Sequence, residues 1–287
     1  MTVTSRAGNG ISSTLLARLR RVRGFVFDQD GTLVLGDRRN HGLRPLPGAI
    51  EFLDRLSARG IPFVTLTNGT VRTPESYVGE LRAAGFPLHS EIVFTPSVVA
   101  ADYLARRKLH RVMVFGGEGI HLPFQSAGIE TSRPMERSAV DAVFVGWARD
   151  FTMEDLEAAC HAVWSGAKLY TASSSRFFAT AEGRAIGTSR AICAVITSLT
   201  GRRPTILGKP STHALRFVAQ RLGLEPRHIA VVGDDPALEP PMARRGGALA
   251  IAVQSGLAKR PDFLRAPMNQ RPHLVLDDLA ELMRLYG

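Results

Sequence analysis

Two carboxylates two residues apart, Asp28 and Asp30, stand at the end of the apolar run Gly24-Phe25-Val26-Phe27 and are followed by Gly31 and Thr32. Acids this close repel one another, so the pair makes physical sense with a bound cation or with one acid protonated. Either state suits proton transfer or displacement at a charged centre. A strand-to-turn junction also favours Asp and Gly, and the motif alone does not separate the two readings.

Three further segments put polar groups after an apolar run. Residues 62–66 lead into Thr67-Asn68-Gly69, where the Thr67 hydroxyl and the Asn68 main-chain N–H suit a phosphoryl oxygen, although Thr-Asn-Gly is also an ordinary turn. Thr205-Ile206-Leu207 gives way to Gly208-Lys209-Pro210-Ser211. Lys209 is a compact point charge in a chain that uses arginine almost everywhere else, and Pro210 suits a helix start. Residues 228–233 run into Asp234-Asp235 and Glu239; Asp234 and Glu239 supply hard oxygen donors of the kind magnesium prefers, while acids after a strand also cap helices. Taken in order, a carboxylate pair, a hydroxyl, a lysine and a second acid group are not what four independent turns would supply.

Such side chains need a framework that brings distant strand ends together. Short runs rich in Val, Ile and Phe at 24–27, 62–66, 112–115, 142–145, 229–232 and 248–253 alternate with helical patterns, which predicts parallel α/β layers. Pro47-Gly48 opens a helix ending at Gly60, Thr152-x-x-Asp155 is a capping box, and Ser211 or Thr212 precedes a helix closed by Gly223. In open α/β sheets ligands bind at the carboxyl edge of the strands, where every one of the four motifs falls. Gly116-Gly117-Glu118-Gly119 lacks a phosphate-loop lysine and is read as a turn.

A chain of 287 residues with 45% hydrophobic content can bury one large core, or a core with an inserted second domain. No run approaches the roughly 18 apolar residues of a membrane span. The first ten residues lack a signal peptide's apolar core, so the expected compartment is the cytoplasm. Cys160 and Cys193 have no partner spacing for zinc or disulfides and are expected in the core. The net charge of +10 is scattered along the chain, which fits a field attracting small anions better than a nucleic-acid groove. A non-catalytic nucleic-acid-binding module is the competing reading, and it requires steeply salt-dependent binding.

On these residues the chain resembles the haloacid dehalogenase-like superfamily of phosphohydrolases, whose motifs match Asp28-Gln29-Asp30-Gly31-Thr32, Thr67-Asn68, Lys209 and Gly233-Asp234-Asp235. Leu46-Pro47-Gly48-Ala49, Leu66-Thr67-Asn68 and Gly208-Lys209-Pro210-Ser211 are similar to the subgroup of p-nitrophenyl-phosphatase and phosphoglycolate-phosphatase-like enzymes. The resemblance implies a Rossmann-like doubly wound parallel sheet formed by residues 1–107 and 204–287, with an α/β cap inserted at 108–203. It implies magnesium-dependent hydrolysis of a small phosphorylated metabolite through an aspartyl-phosphate. Asp28 would attack phosphorus, Asp30 would carry the proton, and Thr67 and Lys209 would neutralise the transferring oxygens. Thr67, Asn68, Lys209 and Ser174 would bind substrate; Asp28, the Asp30 main-chain carbonyl, Asp234 and Glu239 would serve the metal. No membrane or nucleic-acid partner is implied, and some relatives dimerise through the cap. Dehalogenation and phosphonate cleavage occur on the same scaffold, and Asp30 argues against dehalogenation, where no leaving group needs a proton.

Three departures from the subgroup stand out. Glu239 occupies the place of an aspartate, reaching about one bond further, a length that suits contact with metal through water. Ala172 and Ser174 replace an Asn and an Asp in the cap loop 171–176, which leaves the substrate open. The pair Pro240-Pro241 is expected to shift the start of the helix that follows.

Overall fold

The computed structural model describes residues 11–36, 42–88, 92–136, 138–180, 183–256 and 258–287, so the reading of the first ten residues lies outside it. Six strands form one sheet in the order Leu274–Leu276, Leu249–Val253, Ile229–Gly233, Gly24–Phe27, Phe63–Leu66 and Val93–Phe94, and every adjacent pair is parallel. Alternation along the central strand sends Phe25 and Phe27 to one face and Val26 to the other. The first face packs on helices Ser13–Arg20, Ala49–Ala58, Pro74–Ala83 and Leu279–Tyr286. The second packs on Thr212–Leu222 and Glu239–Gly246. Cover on both faces explains why these strands read as unbroken apolar runs. Each fully buried Phe contributes roughly 1.5–3 kcal/mol of transfer free energy.

A second parallel sheet has the order Thr205–Ile206, Lys168–Thr171, Ala142–Val145, Arg111–Phe115 and Glu130–Ser132. Met113, Phe115, Val143, Val145 and Leu169 face helices Met153–Trp164 and Thr188–Thr200. Val112, Val114, Phe144 and Tyr170 face Pro96–Ala105 and Glu118–Ser126. This layer therefore has apolar cores of its own on both faces. The expected capping box is present: Thr152 Oγ1 accepts from Asp155 N at 3.2 Å, and Asp155 Oδ2 accepts from Thr152 N at 2.9 Å.

All six expected strands form, with ends moved by about a residue. Val93–Phe94, Glu130–Ser132, Lys168–Thr171, Leu274–Leu276 and the hairpin Phe177–Thr180 with Gly183–Ile186 were not legible. Most are two- to four-residue strands at sheet edges, where neighbours rather than local pattern decide pairing. The strand before Lys209 belongs to the second sheet, so Lys209 arrives from a different layer than the other three motifs. Pro210 lies outside the following helix, which starts at Thr212 behind the Ser211 cap. The pair Pro240-Pro241 sits in the first turn of Glu239–Gly246, where an N–H has no intrahelical acceptor.

Candidate active site

The end of the central strand is held by its neighbour, because the Asp28 main-chain N–H donates to Val232 O at 2.9 Å. The chain then folds back sharply: Gly31 takes φ +83°, its N–H donates to Val34 O at 2.8 Å, and Leu33 N–H donates to Gln29 O at 2.9 Å. Asp28 Oδ1 accepts from Gln29 N at 2.7 Å, which points the carboxylate over the sheet edge. Asp234 ends the adjacent strand Ile229–Gly233, and Glu239 is the first residue of the next helix. Asp28, Asp234 and Glu239 are buried at 7, 8 and 1% exposure.

Lys209 lies among them, 2% exposed, with its ammonium on Asp28 Oδ1 and 2.8 Å from Glu239 Oε1. Burial alone would push Lys209 toward losing its proton; the Asp28 and Glu239 carboxylates outweigh burial and hold its pKa above the usual lysine range. Glu239 is pushed well above the carboxylate range by burial, with Asp28, Asp235 and Asp234 adding to the effect and Lys209 opposing it. Asp235 is raised for the same leading reason. Acids outnumber the single ammonium.

That surplus fits a divalent cation. Among the described residues, Asp28, Asp234 and Glu239 form a group whose ligand oxygens lie within 4.8 Å of one another. Glu239 Oε1 has no hydrogen-bond partner despite its burial; its approach to Lys209 is an ion contact without hydrogen-bond geometry. The backbone also makes room: a Cβ on Gly31 or Gly256 would overlap Asp234 Oδ2, and one on Gly233 would overlap Glu239 Cγ. Ser255 Oγ donates to Gly31 O at 2.8 Å and ties the two loops together. Asp30 is half-buried in the same turn, and its charge helps burial raise the Tyr77 phenol.

Thr67 and Asn68 follow the strand on the other side of Asp28. Thr67 is buried, and its Oγ1 accepts from Gly69 N at 3.0 Å. The Asn68 side chain is engaged within the protein. Its Oδ1 accepts from Lys209 N at 2.8 Å and its Nδ2 donates to Lys209 O at 2.9 Å, so one amide grips both main-chain groups of the lysine. A Cβ on Gly208 would approach Asn68 Oδ1 to 2.6 Å, so glycine permits the grip. Asn68 Nδ2 also donates to Ser173 Oγ at 3.3 Å, in the loop after strand Lys168–Thr171 of the second sheet.

The loop after strand Lys168–Thr171 thus meets the core sheet's site through Ser173, next to the expected Ser174, whose main-chain carbonyl accepts from Arg190 Nη1 at 3.1 Å. Ser175 N donates to Ser173 Oγ at 3.1 Å and fixes the loop's turn. The second sheet also docks on residues 70–72: Trp147 N donates to Thr70 Oγ1 at 2.8 Å, and a Cβ on Gly119 would lie 2.6 Å from Arg72 O. Tyr77, Ser173, Thr70 and the grip of Asn68 were not read from sequence. Each depends on a partner far along the chain, 141 residues for Asn68 and Lys209.

Comparison with known proteins supports this geometry's kinship. A family model described as haloacid dehalogenase-like hydrolase matches residues 25–130, and one described as HAD-hydrolase-like matches 206–282, together more than half of the chain. The 5'-nucleotidase YutF of Bacillus subtilis is 28% identical over 264 residues, covering 92% of this chain and 98% of that protein. The crystal structure of a 4-nitrophenylphosphatase from Thermotoga maritima superposes with TM-score 0.85 at 26% identity, over 94% of this chain and 99% of the other. A glycerol phosphate phosphatase from Mycobacterium tuberculosis, solved in complex with magnesium, gives TM-score 0.81 at 25% identity, over 92% and 77%.

Proposed function

The chain belongs to the haloacid dehalogenase-like hydrolases and is a phosphatase, a phosphoric monoester hydrolase; from that premise we propose that it cleaves small phosphorylated metabolites through an aspartyl-phosphate on Asp28, with magnesium beside it. The observation that carries the reading is the buried group of Asp28, Asp234, Glu239 and Lys209 at the carboxyl edge of the core sheet. Asp28, the Asp30 main-chain carbonyl, Asp234 and Glu239 would hold the metal, which when bound neutralises charge between nucleophile and phosphate.

In the first half-reaction an Asp28 oxygen forms a bond to phosphorus as the bond to the ester oxygen breaks, and Asp30 gives that oxygen its proton. In the second, Asp30 takes a proton from water, whose oxygen displaces Asp28 and releases inorganic phosphate. Lys209, already protonated, balances charge on the phosphoryl oxygens, and Thr67 and the Asn68 N–H supply donors. We assign residues 108–203 to a cap over this site, with Ser174 on its substrate side; strand Thr205–Ile206 continues the cap's sheet beyond that boundary. Pairing of two copies through the cap belongs to the same reading, and Trp164, Ile186 and Leu199 are large apolar side chains exposed on it. Sedimentation equilibrium decides that point.

The substrate is read no finer than a small phosphate monoester, since the relatives' names span a nucleotidase, a nitrophenyl phosphatase and a glycerol phosphate phosphatase. The test is a panel of metabolite phosphates with magnesium. Asp28→Asn should reduce turnover by about 10⁴-fold or more while the fold persists. Retained turnover in that variant, or an inactive wild type across the panel, overturns the reading.

A further inference from the structure

Lys209 carries its charge in among the acids, and its contact with Glu239 does not aim itself: Nζ lies 2.8 Å from Oε1 without hydrogen-bond geometry. The attraction in an ion contact depends on separation and not on direction, so the placement of both groups falls to the backbones that bear them. On the lysine's side, Gly208 N–H donates to Ala172 O at 3.0 Å, Asn68 holds both main-chain groups of Lys209, and Ser211 N–H donates to Gly208 O at 2.9 Å. Pro210 has no N–H, which leaves its carbonyl as its one main-chain anchor. That carbonyl accepts from Arg245 Nη2 at 2.7 Å.

Arg245 stands in the last turn of Glu239–Gly246, the helix whose first residue is Glu239. Its Nε donates to Pro241 O at 3.0 Å. Nε and Nη2 lie along one edge of the planar guanidinium, so a rigid fork joins the two carbonyls. Pro210 is the residue after Lys209, and Pro241 is the second residue after Glu239. The fork therefore ties together the two backbones from which the buried ion pair springs, and closes a ring that runs through both side chains. The helix end is itself seated: a Cβ on Gly246 would lie 2.2 Å from Leu215 Cδ2, on the helix Thr212–Leu222 that follows Lys209. Among the described residues no carboxylate pairs with Arg245, whose two hydrogen bonds both go to main-chain oxygens.

Given the role proposed for Lys209, we infer that Arg245 is a positioning residue for it: the fork sets the separation of the Lys209 and Glu239 backbones, and so fixes where the ammonium stands while the phosphoryl group transfers. A lysine at this position would keep a cation at the helix C-terminus, where it favours the dipole, and would reach one carbonyl but not bridge both. Charge and positioning therefore come apart in Arg245→Lys.

The test measures kcat and KM for p-nitrophenyl phosphate with magnesium, beside a thermal melt of each variant. Arg245→Lys should lower kcat about ten-fold, inside the roughly 10²-fold that a misplacement of 1 Å can cost, with KM changed less than about two-fold. Its melting midpoint should match the wild type, because the cation at the helix end is kept. Arg245→Gln, without charge or fork, should show the same loss of kcat as Arg245→Lys. On a Lys209→Met background Arg245→Lys should lower kcat no further, since no ammonium is left to place. Wild-type kcat in Arg245→Lys, a change confined to KM, or a loss that persists in full on Lys209→Met overturns the inference while the reading of the site stands. Near-normal turnover in Lys209→Met alone overturns both.

Discussion

The protein contains two parallel sheets built alike, and their strand ends differ. Each is covered on both faces by helices, and each has an apolar cluster on either side. The core strands end in Asp28, Thr67 and Asp234, whereas their counterparts in the second sheet end in Gly116, Gly146 and Ala172. The architecture gives both sheets a carboxyl edge where side chains converge, and only one edge is furnished with acids. The layers are nonetheless coupled. Strand Thr205–Ile206 delivers Lys209 from the second sheet into the acids of the first, and Ser173 reaches Asn68.

The largest test of that coupling is Lys209→Met. The substitution removes the ammonium from between Asp28 and Glu239 and leaves buried carboxylates without their counter-charge. We expect kcat for p-nitrophenyl phosphate to fall about 10³-fold, the scale of losing one transition-state donor. Stability in a thermal melt without metal should fall by about 3–5 kcal/mol, the range for breaking a buried pair. Near-normal turnover would make Lys209 a structural bridge between layers and reduce the second sheet to a scaffold.

Asn68→Ala tests whether the core reaches back. Asn68 holds both main-chain groups of Lys209, so its loss frees the lysine's backbone while leaving its charge. A misplacement of the order of 1 Å can cost about 10²-fold, so kcat should fall about 10- to 100-fold with a smaller change in KM. A change confined to KM would leave Asn68 a substrate contact alone, without a positioning role for Lys209.

These positions also show how far the sequence could be read. Asp28, Asp234 and Thr67 were legible because each follows an unbroken apolar strand, and the strand's own ladder then places it. Lys209 was legible as a residue and not as a member of the second sheet, because a two-residue edge strand carries almost no pattern of its own. The Asn68 grip, the Tyr77 phenol near Asp30 and the Ser173 contact are products of tertiary approach. A Tyr on an amphipathic helix and a Ser among serines give no local signal. The fork of Arg245 was hidden for the same reason, since Pro210 and Arg245 come from separate segments.

Ser173→Ala should have a modest effect. One neutral hydrogen bond to Asn68 is worth about 1 kcal/mol, so kcat/KM should fall about five-fold or less. Combined with Asn68→Ala the loss should not add, because both remove the same link; full additivity, measured as a double-mutant cycle on kcat/KM, would show that the loop acts elsewhere.

The smallest expected effect on catalysis is the sharpest control on the comparison. Thr152 and Asp155 cap helix Met153–Trp164, and both are solvent-exposed or nearly so, on the layer whose strand ends bear no acids. Thr152→Ala removes an acceptor for Asp155 N and should lower stability by about 1 kcal/mol in denaturant titration. Because that helix packs on the second sheet's apolar face and supplies nothing to Asp28, Lys209 or Asn68, kcat and KM should match the wild type. If kcat falls with stability, the second sheet transmits its helix packing to Lys209 as well as holding the strand that delivers it, and the division between a furnished edge and a supporting one fails.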